Sequence, residues 1–223
     1  MSQGHAFATP TNRLLACGVV AGPLFVLVVL IQAVTRAGFD LGYHPLSLLS
    51  LGDLGWVQVA NFVVTGALFV ACATGIRRVV RTGRGATWGP RLVGALGVGL
   101  IISGVFVTDA GAGFPPGAPA GAPAMSWHGV LHEAGFVLAV PGMIAGCLVF
   151  ARRFAALRWR RWVVGSAAVP AAALVLVAWP DLDGLSIRLF IATAILFGYV
   201  AAVATRAMRG LPESAITLTP QRG

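Results

Sequence analysis

Six apolar runs dominate this sequence and limit what it can fold into. Each is about 20 residues long, which is the length that an α-helix needs to cross the hydrocarbon core of a bilayer. The sequence therefore predicts an all-α fold, a polytopic membrane protein built as a six-transmembrane-helix bundle. We expect a short terminal segment at 1–13, the membrane domain at 14–205 and a disordered tail at 206–223. The apolar runs cover Leu14–Val34, Val57–Ile76, Leu92–Thr108, Val130–Phe150, Trp162–Trp179 and Ile187–Thr205.

Composition places the chain in a membrane rather than in solution. Hydrophobic residues make up 57% of the 223 residues and charged residues 10%, and the mean hydropathy is +0.85, far from the averages of soluble domains. The net charge is +9, and every basic residue is an arginine. Because these arginines lie between the apolar runs, membrane topology accounts for them and a nucleic-acid partner is disfavoured. The lipid bilayer is the partner that the composition predicts.

Arginine placement predicts how the bundle is oriented. Of the 16 arginines, 14 fall on the side that holds both termini, whereas Arg36 and Arg188 fall on the other side. Cytoplasmic connections are enriched in arginine and lysine, so we expect both termini in the cytoplasm. The 14 are Arg13, Arg77, Arg78, Arg81, Arg84, Arg91, Arg152, Arg153, Arg158, Arg160, Arg161, Arg206, Arg209 and Arg222.

Acidic residues collect on the side opposite to the arginines. Six of the seven lie on the predicted outer connections or at the outer ends of the apolar runs, and three of the four histidines join them. The orientation rule depends little on acidic residues, so topology does not explain this clustering, and the outer side is where we expect a functional site. The residues are Asp40, Asp53, Asp109, Glu133, Asp181, Asp183, His44, His128 and His132.

Two outer connections are long and differ in character. In the first, residues 35–55, Pro45 can start a helical turn, and the dense leucines that follow indicate a segment in the interface or dipping into the bundle. That placement would hold His44 and Ser47 near the mouth of the bundle. The other, residues 109–126, is an Ala/Gly/Pro segment without periodicity, which is typical of a mobile linker or, alternatively, a lid.

The ordered motifs of the outer side resemble a known family. They are HPLSLLSLGDLG at 44–55, GVFVTDAGAGFP at 104–115 and WHGVLH at 127–132, with the run VQVANFVVTGALF between the first two. Together they resemble the bacterial multi-span membrane proteins called domain of unknown function 998, over most of the chain. The resemblance implies a six-helix, multi-pass protein of the bacterial cell membrane, and it implies no activity.

A weaker similarity is to the membrane hydrolases that include alkaline ceramidases and adiponectin-type receptors. Those proteins hold zinc with three histidines, one pair spaced HxxxH, and have an aspartate and a serine nearby. The resemblance implies His44, His128 and His132 as metal ligands, with catalytic roles for Asp109 and Ser47. The substrate to be hydrolysed would be a lipid-like ester or amide.

The spacing of His128 and His132 supports a metal site on its own terms. Residues four apart share a helix face about 6 Å apart along the axis, so two imidazoles can converge on one Zn²⁺. A third histidine would complete three protein ligands and leave a position for water. Asp109 could then act as general base or orient a ligand. Glu133 is rotated away from His132 and is expected to face a neighbouring helix.

Other interpretations of the same residues stay open. Ser126 is a plausible N-cap, so the two histidines after it can simply sit at the water boundary of a helix. Acidic groups near span ends can serve a proton or ion pathway. A non-catalytic accessory or structural protein, or a small transporter, is the alternative to a hydrolase, and neither the substrate nor the oligomeric state follows from the sequence.

The predicted orientation can be tested by labelling intact cells. In a cysteine-free background, a single cysteine at Ala118 should react with a membrane-impermeant maleimide, because the positive-inside rule puts residues 109–126 outside. A cysteine at Thr82 should react only after the cells are lysed. The opposite pattern would reverse the orientation.

Overall fold

A computed structural model describes residues 9–181 and 183–210 of the chain. In these residues it contains six α-helices, all long and apolar enough to cross a membrane, and no strand. The prediction of an all-α, six-span fold is confirmed, whereas the predictions for residues 1–8 and for the tail from 211 onward lie outside the described residues. The helices are α1 Pro10–Thr35, α2 Gly55–Val79, α3 Trp88–Val105, α4 Trp127–Ala156, α5 Arg160–Val177 and α6 Leu185–Met208, with a short 3-10 helix at Leu46–Ser50.

The helices begin earlier than the apolar runs from which they were predicted, because polar and capping residues extend them. Thr9 accepts a hydrogen bond from the backbone N–H of Asn12 at the start of α1, and Ser126 does the same for Gly129 at the start of α4. The N-cap interpretation of Ser126 is therefore confirmed. At its other end α3 stops at Val105, short of the predicted Thr108.

Each helix packs against its neighbour in the chain, and α6 returns to pack against α1, so the six helices form a closed ring. Aromatic rings fill the centre. The ring of Phe197 lies 5.3 Å from that of Phe25 and 4.9 Å from that of Phe69, and Phe25 lies 5.6 Å from Phe62, between ring centroids. Inside a bilayer such van der Waals packing, rather than burial from water, holds helices together.

Glycines set the closest helix crossings. A Cβ at Gly18 would collide with the Sγ of Cys72, so α1 and α2 approach closely there. The closest approach of α3 and α4 is at Gly99 and Gly135, where each would place a Cβ within 2.6 Å of the other's carbonyl oxygen.

The connections form two faces. Residues 36–54, 106–126, 178–181 and 183–184 lie at one end of the bundle, which we call the acidic face, and residues 80–87 and 157–159 lie at the other, which we call the arginine-rich face. The two ends of α6 support this grouping. Near its first residue the hydroxyl of Ser186 donates to the carbonyl of Tyr43, and near its last the guanidinium of Arg206 stacks on the ring of Trp159.

One arginine of the arginine-rich face has a structural role that its topogenic interpretation missed. Arg153 is only 2% exposed, and its guanidinium donates to the carbonyl oxygens of Thr82 and Arg84. These bonds tie the end of α4 to the connection between α2 and α3. The adjacent Arg152 is exposed.

Replacing Arg153 by methionine should therefore lower the stability of the folded protein, by about 3 kcal/mol if both charge-assisted bonds are lost. Thermal unfolding of purified protein measures this, and Arg152→Met is the matched control. We expect the control to unfold within about 0.5 kcal/mol of the parent, as for a surface substitution. Equal effects of the two substitutions would mean that Arg153 contributes only its charge.

Candidate functional site

His44 joins the two long connections of the acidic face. The backbone N–H of Asp40 donates to its Nδ1 at 2.9 Å, so Nδ1 carries a lone pair and the proton must sit on Nε2, which lies 3.0 Å from the carbonyl oxygen of Ala112. The imidazole is 7% exposed and contacts the rings of Phe39 and Phe114. Both ring nitrogens are thus used to hold backbone.

The first part of the segment 109–126 is anchored to the bundle, which the linker interpretation did not predict, whereas residues 119–125 are exposed. Phe114 is buried and packs edge-to-face on Phe39 and under the guanidinium of Arg36. The segment also bonds to itself, with the N–H of Ala112 donating to the carbonyl of Gly121. The Ala/Gly/Pro composition of the segment does not predict this anchoring, because a single buried aromatic side chain is enough to hold a loop in place.

The leucine-rich connection dips into the bundle as predicted. Pro45 precedes the 3-10 helix, and Leu49 is completely buried. Arg36 donates to the carbonyl oxygens of Leu49 and Leu51, which satisfies backbone groups that a short helix leaves open. The 3-10 helix therefore forms a lid over the bundle. The hydrogen bonds from Arg36 and the burial of Leu49 in the core hold it in place.

Asp109 links the end of α3 to the start of α4 at the acidic face. Its Oδ2 accepts the backbone N–H of Ser126 at 2.8 Å, and its Oδ1 lies 3.8 Å from Nε2 of His128. The backbone N–H of Ser126, then the hydroxyl of that serine, hold the pKa of Asp109 below its usual range, with His128 contributing less. A side chain at Gly129 would collide with this carboxylate.

The HxxxH pair caps the carboxyl end of α3. His132 Nδ1 lies 2.8 Å from the carbonyl oxygen of Ser103 and 3.0 Å from that of Phe106, and His128 Nδ1 lies 2.8 Å from that of Val107. Carbonyl oxygens only accept, so both Nδ1 atoms carry hydrogen. Both histidines therefore donate to carbonyls that α3 leaves unpaired where it ends early, and each keeps Nε2 for other partners.

A cavity of about 260 Å³ lies beneath the 3-10 helix, inside the ring of helices. It extends from the acidic face to the central aromatic cluster, and its walls are largely apolar. All helices except α5 contribute to it. The polar side chains that line it are Ser47, Ser103, His132, Glu133, Ser186 and Thr193.

Glu133 lies at the mouth of this cavity and not against a neighbouring helix as predicted. It is exposed, as are Pro45 and Phe136, the other exposed residues of the lining. The prediction placed Glu133 from its rotation around the helix relative to His132. It was wrong because α4 and α6 make few contacts with each other, and the cavity lies between them where Glu133 projects. His132 by contrast is 4% exposed and lies within the wall.

The five predicted site residues fall in three places. Ser47 and His132 line the cavity, His128 and Asp109 face each other at the end of α3, and His44 holds the connections. Within residues 9–181 and 183–210, no group of three or more His, Cys, Asp or Glu side chains is placed to hold a metal ion. The metal and catalytic assignments stay predictions.

A buried polar network inside the membrane was missed by the sequence interpretation. Gln32 of α1 donates to the side-chain oxygen of Gln58 of α2 at 2.7 Å, and Asn61 and Thr65 extend the network along α2. All four are at most 4% exposed. The signal was available, because Gln58, Asn61 and Thr65 follow a spacing of three and four residues on one face of an apolar run.

Comparison with known proteins identifies one family. A family model described as "Protein of unknown function (DUF998)" matches residues 19–218 of the chain. No curated protein and no solved structure matches it.

The lowered pKa of Asp109 predicts how acid affects the α3–α4 pair at the acidic face. A depressed pKa in the folded state means that the carboxylate stabilises the fold at pH values above its unfolded pKa of about 3.9, and that this is lost as pH falls through the lower folded pKa. The melting temperature of Asp109→Asn should therefore lie below that of the parent at neutral pH and approach it below about pH 4.

Asp183→Asn is the control, because Asp183 is an exposed residue of the same face. We expect its melting temperature to follow that of the parent throughout. A difference between parent and Asp109→Asn that is independent of pH would show that the charge of Asp109 does not stabilise the fold.

Proposed function

The chain belongs to the DUF998 family, and because the description of that family gives no activity, we propose a function from the cavity: the protein binds a lipid-like ligand within the bilayer, with the head of the ligand at the acidic face. The observation that carries this proposal is a largely apolar cavity with a few polar groups near its mouth. That is the usual composition of a small-molecule site.

The dimensions of the cavity suit an acyl or alkyl chain. Along α6 its lining runs from Ser186 to Phe197, about 16 Å at the helical rise per residue. Its volume of about 260 Å³ exceeds the roughly 150 Å³ of an apolar protein cavity that accommodates benzene. Phe25 and Phe197 close the inner end, so a chain would enter from the mouth and end at the aromatic cluster.

The mouth supports entry from the lipid. Phe136 of α4 is 41% exposed, and its neighbour Val137 is 62% exposed, so apolar surface continues from the lining onto the outside of the bundle. A ligand dissolved in the leaflet at the acidic face could thus move into the cavity sideways. The arginine distribution supports an outer leaflet, and the resemblance to bacterial proteins supports the bacterial cell membrane as the location.

A zinc-dependent hydrolase of a lipid-like ester or amide is the alternative. In its favour, zinc-binding histidines usually donate their second N–H to a carbonyl or carboxylate, as His128 and His132 do. Against it, His44 has no lone pair left for a metal, because Nδ1 accepts the N–H of Asp40. Asp109 also lies with His128 and not in the cavity with Ser47. Binding without a metal accounts for more of these contacts.

The binding proposal predicts where a photoreactive ligand attaches. A long-chain alcohol carrying a diazirine on its chain, added to the protein in phosphatidylcholine nanodiscs, should label cavity residues such as Phe136 and Leu189 in a saturable manner. Thr193→Phe should reduce saturable labelling at least about tenfold, because the added ring fills the cavity. Peptide mapping by mass spectrometry measures both results.

Thr205→Phe is the matched control. Thr205 lies on the same helix, has the same partial exposure as Thr193, and donates in the same way to the carbonyl four residues earlier, but it does not line the cavity. Its labelling should equal that of the parent, and a chelator should change neither. Labelling that is abolished by chelation would favour the zinc site, and labelling that never saturates would reject the binding proposal.

A further inference from the structure

Most of the polar groups that line the cavity share one chemical property, which specifies the ligand class: toward the cavity they accept hydrogen bonds. Resting on the proposed function, we propose that the cavity selects a long-chain amine, through these acceptors and the carboxylate of Glu133. The head that fits is one that donates hydrogen bonds and carries a positive charge.

Three of the four hydroxyl groups of the lining, all except that of Ser47, have already donated their hydrogens. Ser103 donates to the carbonyl of His132 at 2.9 Å, Ser186 to that of Tyr43 at 2.8 Å, and Thr193 to that of Leu189 at 2.8 Å. A hydroxyl has one hydrogen and two lone pairs. Toward the cavity, these three side chains can therefore offer only acceptor lone pairs.

His132 adds a nitrogen acceptor to the same wall. Its Nδ1–H is shared between two carbonyl oxygens of α3, so the neutral imidazole has its lone pair on Nε2. The side chain is more than nine-tenths buried and lines the cavity. A buried acceptor is costly to leave without a donor, and a ligand N–H or O–H would supply one.

Charge at the mouth distinguishes an amine from an alcohol or an acid. Glu133 lines the mouth, whereas no arginine of the described chain lines the cavity. The two arginines of the acidic face bond elsewhere, Arg36 to carbonyls at the end of the 3-10 helix and Arg188 to the carbonyls of Asp181 and Asp183. An ammonium head would meet a carboxylate at the mouth. A carboxylate head would meet repulsion there, and the hydroxyl of Ser47 is the one side-chain hydroxyl of the lining that could donate to it.

Competition against the photoreactive alcohol tests this selection. The competitors have equal alkyl chains and four different heads: a primary amine, an alcohol, a trimethylammonium group and a carboxylate. We expect the amine to compete best, the alcohol second, and the other two weakest, with at least about tenfold between amine and carboxylate, as one charge-assisted hydrogen bond provides. The trimethylammonium head separates the effect of charge from that of hydrogen-bond donation, because it is positively charged but has no N–H.

Two variants identify the responsible groups. His132→Asn keeps an amide N–H near the position of Nδ1 while removing Nε2, and should cut the advantage of the amine over trimethylammonium by about fivefold or more. Glu133→Gln, at an exposed position, should bring the amine close to the alcohol and leave the alcohol ahead of trimethylammonium.

The outcomes separate this inference from the proposed function. Saturable labelling that Thr193→Phe abolishes, with all four heads competing equally or the carboxylate best, would keep the binding function and overturn the selection. A preference for the amine that neither His132→Asn nor Glu133→Gln changes would overturn the assignment to these residues. Absence of saturable labelling would overturn both.

Discussion

The carboxyl end of α3 leaves backbone carbonyl oxygens close to the membrane boundary, where an unpaired polar group is costly. Two histidines of α4 meet that requirement, His132 at Ser103 and Phe106 and His128 at Val107. The glycine crossing of α3 and α4 one turn deeper brings the backbones close enough for these bonds. Proton placement on both imidazoles follows from this capping, and so does the accepting nitrogen that His132 keeps for the cavity.

The connections of the acidic face depend on the same kind of bond. His44 and Arg36 both donate to backbone carbonyls of other segments, His44 to that of Ala112 and Arg36 to those of the 3-10 helix. Phe114 packs between these two side chains. Hydrogen bonds from side chains to backbone carbonyls thus hold the lid together. The cavity lies beneath this lid. Of the three histidines at this face, His128 and His132 thus cap α3, and His44 holds the connections.

Much of the fold could be predicted, because a bilayer imposes its thickness on every crossing segment. The N-cap at Ser126 and the buried leucines after Pro45 could also be predicted from the sequence, since both depend on nearby residues. The anchored loop at Phe114, the position of Glu133 and the burial of Arg153 were not, because each depends on which segments meet across the bundle. The sequence could place the candidate residues at one face of the bundle. It could not predict which of them cap α3, which hold the lid and which line the cavity, because that depends on which backbone carbonyls lie near each side chain.

The resemblance of HxxxH to a metal site and its use as a helix cap have a common physical origin. Both need imidazoles on one helix face with Nδ1–H held by a carbonyl and Nε2 presented to something else. What distinguishes the two is the environment of Nε2. At His128 it is a carboxylate 3.8 Å away. His132 instead lines a cavity, together with three hydroxyl groups whose hydrogens are already donated. A metal site needs several ligands that converge on one point, and in the described residues no three His, Cys, Asp or Glu side chains do so. A head that carries hydrogen-bond donors needs fewer partners, because one or two acceptors are enough to bind it.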